Sequence, residues 1–198
     1  VTDFILASGS AVRAQLLKAA GVAFHVVPAR VDEDAIKEAL LAQKVPMRGI
    51  ADALAELKAV RVSKSHPGVL VLGADQVLVF ENELVSKASN ISDARNLLSR
   101  LRGRKHALIG AAVLAKDGVP VWRHVDSATL TMRSFSEAFL EAYLARDGEA
   151  ALDSVGCYHL EGRGAQLFAD IAGDYFSILG LPLLPVLAAL RDQGVIAS

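Results

Sequence analysis

Phe4-Ile-Leu-Ala-Ser-Gly-Ser-Ala-Val-Arg-Ala-Gln-Leu-Leu17 packs three structural signals into one short stretch. Phe4 to Ala7 is an unbroken apolar run, the pattern of a strand buried on both faces. Ser8-Gly9-Ser10 is a turn of small residues. Ala11 to Ala20 has helical spacing, with Leu16, Leu17 and Ala20 expected on the inner face and Gly21 just past the end. Ser10 suits the N-cap, where its hydroxyl can accept from an amide of the first turn that otherwise has no partner. A strand and small-residue turn that feed a helix N-terminus leave backbone N–H groups and a positive dipole end free for a phosphate. Arg13 adds a cation in the first helical turn.

Outward from this unit, the chain alternates short strands and helices. Ala23 to Val27 reads as a strand closed by Pro28. Helices are expected over Asp34 to Gln43 and, after Pro46, over Gly49 to Ser65, where Ile50, Leu54 and Leu57 recur at helical spacing. Lys58, Arg61 and Lys64 form a basic stripe on that helix, the pattern of a solvated face unless one member turns inward. Val69 to Asp75 is a second buried-strand signal, extended through Val77 to Phe80. A turn at Glu81-Asn82 and a return over Glu83 to Val85 follow. Ser92 is the expected cap of a helix to Arg102. Ala107 to Ala115 and Val119 to Met132 flank Asp117-Gly118, a strong hairpin signal. Ser134 and Glu137 have capping-box spacing for a helix to Arg146, closed by Asp147-Gly148. Glu149 to Gly164 reads as an irregular loop, and Gln166 to Ile171 and Tyr175 to Leu179 read as strands. Pro182 opens a terminal helix that stops at Gly194. Parallel-type units mixed with a hairpin predict an α/β fold: a mixed sheet flanked by helices, in one domain over residues 1–198.

Composition narrows the function classes. The chain has 198 residues, 53% of them hydrophobic, which is enough for a large core. A formal net charge of −1 argues against nucleic acid as a partner. Cys157 is the only cysteine, so no internal disulfide can form. The most apolar tract, Phe176 to Leu190, is broken by Pro182 and Pro185 and falls short of the roughly 18–20 apolar residues of a membrane span. No charged segment followed by an apolar one opens the sequence. A cytoplasmic protein without a membrane partner is the expectation.

The chemistry-bearing groups share one logic. Ser8 to Arg13 offers an anion cradle. Asp75 ends a buried strand, a frequent place for a functional carboxylate in α/β proteins. Lys58 and Lys87 are cations able to reach phosphates. A carboxylate beside phosphate-binding groups invites Mg²⁺ or Mn²⁺ and can also orient an attacking water. Together these groups point to phosphoanhydride hydrolysis. Plainer roles stay open on spacing alone: Asp75 as a turn or cap residue, Lys87 as a surface lysine, Glu33 as a helix cap. Cys157 has no evident base partner and reads as a packed residue. The five histidines show no zinc spacing, and no P-loop, dinucleotide-binding glycine pattern or nucleophile elbow occurs.

These residues, in this order, resemble the Maf nucleotide pyrophosphatases over nearly the whole chain. Leu6-Ala-Ser-Gly-Ser-Ala-Val-Arg-Ala-Gln-Leu-Leu17 is similar to the opening L-A-S-x-S-P-x-R-x-x-L-L. Val31-Asp-Glu33 resembles V-D-E, and Leu54 to Ala59 resembles L-A-x-x-K-A. Gly73-Ala-Asp-Gln76 is similar to G-A-D-[TQ], Glu83 to Lys87 to G-E-x-x-x-K-P, and Leu101 to His106 to L-x-G-x-x-H. Gly162 to Phe168 and Gly173 to Leu183 resemble the C-terminal signature. The resemblance implies two lobes with a nucleotide-binding cleft. It implies hydrolysis of a nucleoside triphosphate to the monophosphate and pyrophosphate with a divalent metal, and a homodimer. It puts Asp75 on the catalytic carboxylate, Ser8, Arg13, Lys58 and Lys87 on phosphate-contacting positions, and Glu33 on an acidic position that helps hold the metal.

Departures from the pattern bear on the base. Ala11 and Ala88 stand where the family has Pro. Val12, Gln76 and Glu161 occupy the positions that help choose the base. Gln and Glu at the last two resemble the 7-methyl-GTP branch, and Thr and Gln the dTTP/UTP branch. A carboxylate at Glu161 can accept two N–H donors from a guanine edge, where uracil offers one. Val12 fits neither branch. The expectation is a purine or modified purine such as 7-methyl-GTP. The alternatives are dTTP or UTP, or a nucleotide-binding regulator of cell division with little turnover.

Overall fold

The computed structural model describes residues 3–197. Its elements, in chain order, are β1 (Phe4–Leu6), α1 (Ala11–Ala19), β2 (His25–Val26), α2 (Glu33–Ala42), α3 (Met47–Lys64), β3 (Leu70–Phe80), β4 (Glu83–Val85), α4 (Ile91–Leu101), β5 (Lys105–Lys116), β6 (Val119–Met132), α5 (Glu137–Ala151), a 3₁₀ turn (Arg163–Leu167), β7 (Phe168–Ala172), α6 (Tyr175–Ile178) and α7 (Leu183–Asp192). The strands form one seven-stranded sheet in the order β2-β1-β3-β5-β6-β7, with β4 paired to β3. β1 pairs in parallel with β2 and β3, whereas β3–β4 and β6–β7 are antiparallel. The sheet is mixed and flanked by helices, as the sequence predicts.

The chain divides into two compact units. The first comprises Val1–Gln76, Ile109–Asp126 and Asp174–Ser198, and the second Val77–Leu108 and Ser127–Gly173. In the first unit, strand alternation sorts side chains onto two faces. Phe4, Leu6, Leu70, Leu72 and Ala74 join Leu17 of α1 and Val186 and Leu190 of α7 in one core cluster. Ile5, Ala7 and Val71 face the other way, against Val62 of α3. Both faces of β1 and β3 are therefore covered, and each fully buried leucine among them contributes about 1.5–3 kcal/mol.

Local chemistry sets the turns. Ser10 caps α1 as expected, with its hydroxyl accepting from the Arg13 amide. Glu81-Asn82 and Asp117-Gly118 both hold positive φ at consecutive residues, the conformation of two-residue hairpins. Pro182 precedes the first turn of α7, and Gly194 lies beyond its end with φ +69°.

Several expectations are corrected. Tyr175 to Leu179 is not a strand but the short helix α6, because Asp174 caps it by accepting from the Ser177 amide at 2.8 Å. The caps of α4 and α5 are Asn90 and Ser136, not Ser92 and Ser134. Asp147-Gly148 does not close α5. The helix runs through Gly148, whose missing side chain leaves room for Ile91: a Cβ there would lie 2.8 Å from Ile91 Cδ1. Asp32, rather than Glu33, caps α2 by accepting from the Ala35 amide. Ala20 is exposed at the C-cap of α1, which leaves Leu17 as the buried member of its inner face.

In the second unit, His106 at the start of β5 is buried, and burial lowers its pKa from 6.5 to about 4. The unfolded chain takes up this proton at higher pH than the folded one. Stability is therefore lost as pH falls from about 6.5 to about 4. The stability advantage of the wild type over His106→Gln, measured by urea unfolding, should shrink by roughly 3 kcal/mol across that window. A pH-independent gap would contradict a neutral buried imidazole.

Candidate active site

The first unit carries a buried ionic cluster built by α3 lying directly on β3. Gly73 makes this possible. A Cβ at Gly73 would stand 2.2 Å from the Ala55 carbonyl oxygen and 2.6 Å from the Ala59 amide nitrogen. The buried face of α3 is accordingly lined with Ala51, Ala55 and Ala59, and it also carries Lys58. Leu57, expected on the inner face, is 36% exposed. Of the expected solvated stripe, Arg61 and Lys64 are exposed, but Lys58 is only 7% exposed. Ile50 and Leu54, expected beside Leu57, are fully buried, so the periodicity fails only at Leu57, while small alanines fill the line of closest helix–strand contact.

Asp75 lies two residues beyond Gly73 on β3 and so on the same face of the strand. Lys58 Nζ donates to Asp75 Oδ1 at 2.6 Å and stands 2.7 Å from Glu33 Oε1. Glu33, the first residue of α2, also pairs with Lys37 at 3.8 Å. Two carboxylates from separate elements therefore converge on one buried ammonium. Asp75 Oδ2 is buried and makes no hydrogen bond.

Arg13 is placed by a different set of contacts. Its Nε donates to the Gly180 carbonyl at 2.8 Å, and one Nη donates to the Ala74 carbonyl at 2.9 Å and to Ser8 Oγ at 3.0 Å. Gly180 holds φ +99° beneath this guanidinium. Burial lowers the Arg13 pKa, while the charges of Asp75 and Glu33 raise it. Ser8 Oγ, in a buried residue, also accepts from the Ser10 amide at 3.3 Å. In the expected anion cradle, Ser10 is thus occupied as a helix cap and Ser8 is braced against Arg13. Gln76 follows Asp75 and is half-buried; its Nε2 donates to the carbonyls of Ser177 at 2.8 Å and Ile178 at 3.1 Å. Val12 is half-buried in the first turn of α1.

The structure therefore gathers Ser8, Arg13, Glu33, Lys58, Asp75 and Gln76 around the middle of β3 and the elements beside it; contrary to expectation, Asp75 does not end its strand, because β3 runs unbroken to Phe80. Lys87 and Glu161 belong to the second unit. Lys87 is exposed just after β4, in a surface depression it shares with Asp93, Asn96 and Arg100. Glu161 is exposed in the turns before the 3₁₀ segment. Cys157 is buried and its thiol is pushed up to about 11, mainly by burial, so it is no nucleophile at neutral pH. The carbonyls of Ala74 and Gly180 escape sequence reading, because backbone acceptors carry no residue signature. The alanines at 51, 55 and 59, spaced by four and followed by Gly73, are the signal that locates the helix–strand contact.

Residues 3–193 match the family model described as Maf-like protein. A nucleoside triphosphate pyrophosphatase of Caulobacter vibrioides is 54% identical over 196 residues, covering 99% of this chain and 98% of its own. One of Ruegeria pomeroyi is 50% identical over 192 residues, covering 97% and 96%. Among solved structures, a HAM1 protein from Coxiella burnetii matches 68% of this chain and 75% of its own at 13% identity, with a TM-score of 0.42.

Gly73→Ala should force α3 off β3 and destabilise the protein by about 1–3 kcal/mol, read as a lower urea midpoint with an unchanged m-value. An unchanged midpoint would mean that the close approach at Gly73 is not needed.

Proposed function

We propose that this chain, which belongs to the Maf family, is a nucleoside triphosphate pyrophosphatase that cleaves its substrate to the nucleoside monophosphate and pyrophosphate. The observation that carries the reading is the buried Lys58–Asp75 pair, joined by the half-exposed Glu33, with Asp75 Oδ2 unsatisfied. A buried acceptor without a partner costs free energy on the order of 1–3 kcal/mol. A ligand bound beside Asp75 would supply the missing partner.

The residues fit a divalent cation, Mg²⁺ or Mn²⁺. Among the described residues no cage of three or more His, Cys, Asp or Glu side chains exists. Glu33 and Asp75 would hold such a cation together with phosphate oxygens and water, the donor set Mg²⁺ prefers. Such a cation would neutralise phosphate charge. Asp75 also serves as the general base. Lys58 holds its Oδ1, which orients the carboxylate, and the remaining oxygen takes a proton from the attacking water. Arg13 is the fixed cation of the phosphate site: its backbone contacts hold the guanidinium rigid, so little side-chain entropy is lost on binding. Ser8 and Ser10 shape the turn beside it. The motif resemblance supports Lys87 as a further phosphate contact, and Glu161, Gln76 and Val12 as the groups that choose the base. With Gln76 Nε2 spent on backbone carbonyls, its Oε1 is the atom left to address a ligand. An acceptor at Gln76 and a carboxylate at Glu161 both favour a base rich in N–H donors. This supports guanine, and a cationic 7-methylguanine above it, over uracil or thymine.

Hydrolysis across GTP, 7-methyl-GTP, UTP and dTTP with Mg²⁺ or Mn²⁺ tests both levels. Monophosphate and pyrophosphate should appear in equal amounts, and Asp75→Asn should lose at least about a hundredfold in kcat. Binding without turnover on every nucleotide would instead indicate a nucleotide-binding regulator. Glu161→Gln should move the ranking toward UTP and dTTP; an unmoved ranking would remove Glu161 from base selection.

A further inference from the structure

His106 and Tyr158 of the second unit have no part in the chemistry above, yet both are buried, at 3% and 4% exposure. His106 Nε2 and the Tyr158 hydroxyl lie 2.7 Å apart. The Phe168 ring, at the start of β7, meets Tyr158 edge-on at 4.8 Å between centroids and lies 6.0 Å from His106. Tyr158 stands in the connection between α5 and the 3₁₀ turn, three residues before Glu161.

That connection is held unusually tightly for a segment without strands or long helices. The Tyr143 hydroxyl donates to the Cys157 carbonyl at 3.1 Å. Cys157 holds φ +57°, a left-handed conformation unusual for a residue with a side chain. Gly156 admits no side chain, because a Cβ there would sit 2.2 Å from the Tyr158 ring. Gly164 admits none either, with a Cβ 2.4 Å from the His159 carbonyl oxygen. An irregular segment with a buried centre at Gly156–Tyr158 and this many internal constraints is built to hold one shape.

We propose that the buried His106–Tyr158 hydrogen bond anchors the segment 153–162 and thereby positions Glu161 for base selection. Both are positioning residues, and the inference rests on the reading of Glu161 as a base-contacting group. Tyr158→Phe removes one hydroxyl and keeps the ring packing. The anchor would be lost without opening a cavity.

The test measures kcat and KM for GTP, 7-methyl-GTP, UTP and dTTP in wild type, Tyr158→Phe, Glu161→Gln and the double variant, with amide hydrogen exchange on the first two. Tyr158→Phe should cut the kcat/KM ratio between best and worst nucleotides roughly tenfold. The change should enter through KM, and exchange should rise within 153–162 while β5 stays protected. The double variant should discriminate no worse than Glu161→Gln alone. His106→Gln, whose amide can still hydrogen-bond the hydroxyl, should keep most of the discrimination that His106→Leu loses. If Glu161→Gln moves the ranking but Tyr158→Phe leaves both ranking and exchange unchanged, the anchor is overturned and the base-contact reading stands. If Glu161→Gln does not move the ranking, the base-contact reading falls and takes the positioning role with it. If Tyr158→Phe weakens discrimination further in the double variant, Tyr158 does not act through Glu161, and the inference is likewise overturned.

Discussion

The contact of α3 with β3 at Gly73 is the constraint on which the first unit's ionic cluster depends. Carbonyl and amide atoms of the helix lie where a Cβ would be, so the helix axis approaches the strand more closely than any side chain at that position would permit. Lys58 follows from this approach. A lysine one residue before Ala59 is carried down onto the sheet, and its ammonium meets the carboxylate two residues along the strand from Gly73. Its buried charge is offset by two carboxylates rather than one. Removing Asp75, the buried one of the two, would leave the Lys58 ammonium poorly compensated in a poorly solvated place.

Arg13 performs a second joining role. The guanidinium reaches from the first turn of α1 to the carbonyls of Ala74 and Gly180 and to Ser8. Two of its three partners are backbone oxygens whose positions are set by β3 and by the turn before α7. A cation tied down in this way can present charge to a phosphate without first being ordered. Gln76 extends the same pattern one residue further along β3, with its amide clamped on the last turn of α6. Side chains around the middle of β3 are therefore held by backbone acceptors as much as by one another.

Sheet, helices and hairpins were legible in the sequence because their signals are local. Phe4 to Leu6, the apolar part of β3 and the Asp117-Gly118 turn announce themselves by run length, burial pattern and dihedral preference. The misreadings share a cause. Tyr175 to Leu179 is apolar and short, and run length alone does not separate strand from helix; the Asp174 cap does. Gly148 reads as a stop, yet its role is to let α5 pass Ile91. Leu57 fits the same apolar periodicity as the buried Ile50 and Leu54, yet it faces out, because the packed face turns toward the line of alanines at 51, 55 and 59.

Asp75, Lys58, Arg13 and Glu33 could be singled out from residue type and motif order, since charged groups next to buried strands and small-residue turns limit the available chemistry. The sequence by itself determined the mixed α/β class, the order of its elements apart from α6, and the family. Only the tertiary structure decided that Lys58 turns inward while Arg61 and Lys64 stay outside, that Arg13 is bound to backbone carbonyls, and that Asp75 keeps one oxygen unsatisfied. Each of these depends on how closely two elements far apart in sequence approach. That distance is set by the absence of a side chain at Gly73 and by backbone atoms elsewhere, and neither leaves a periodic trace along the chain.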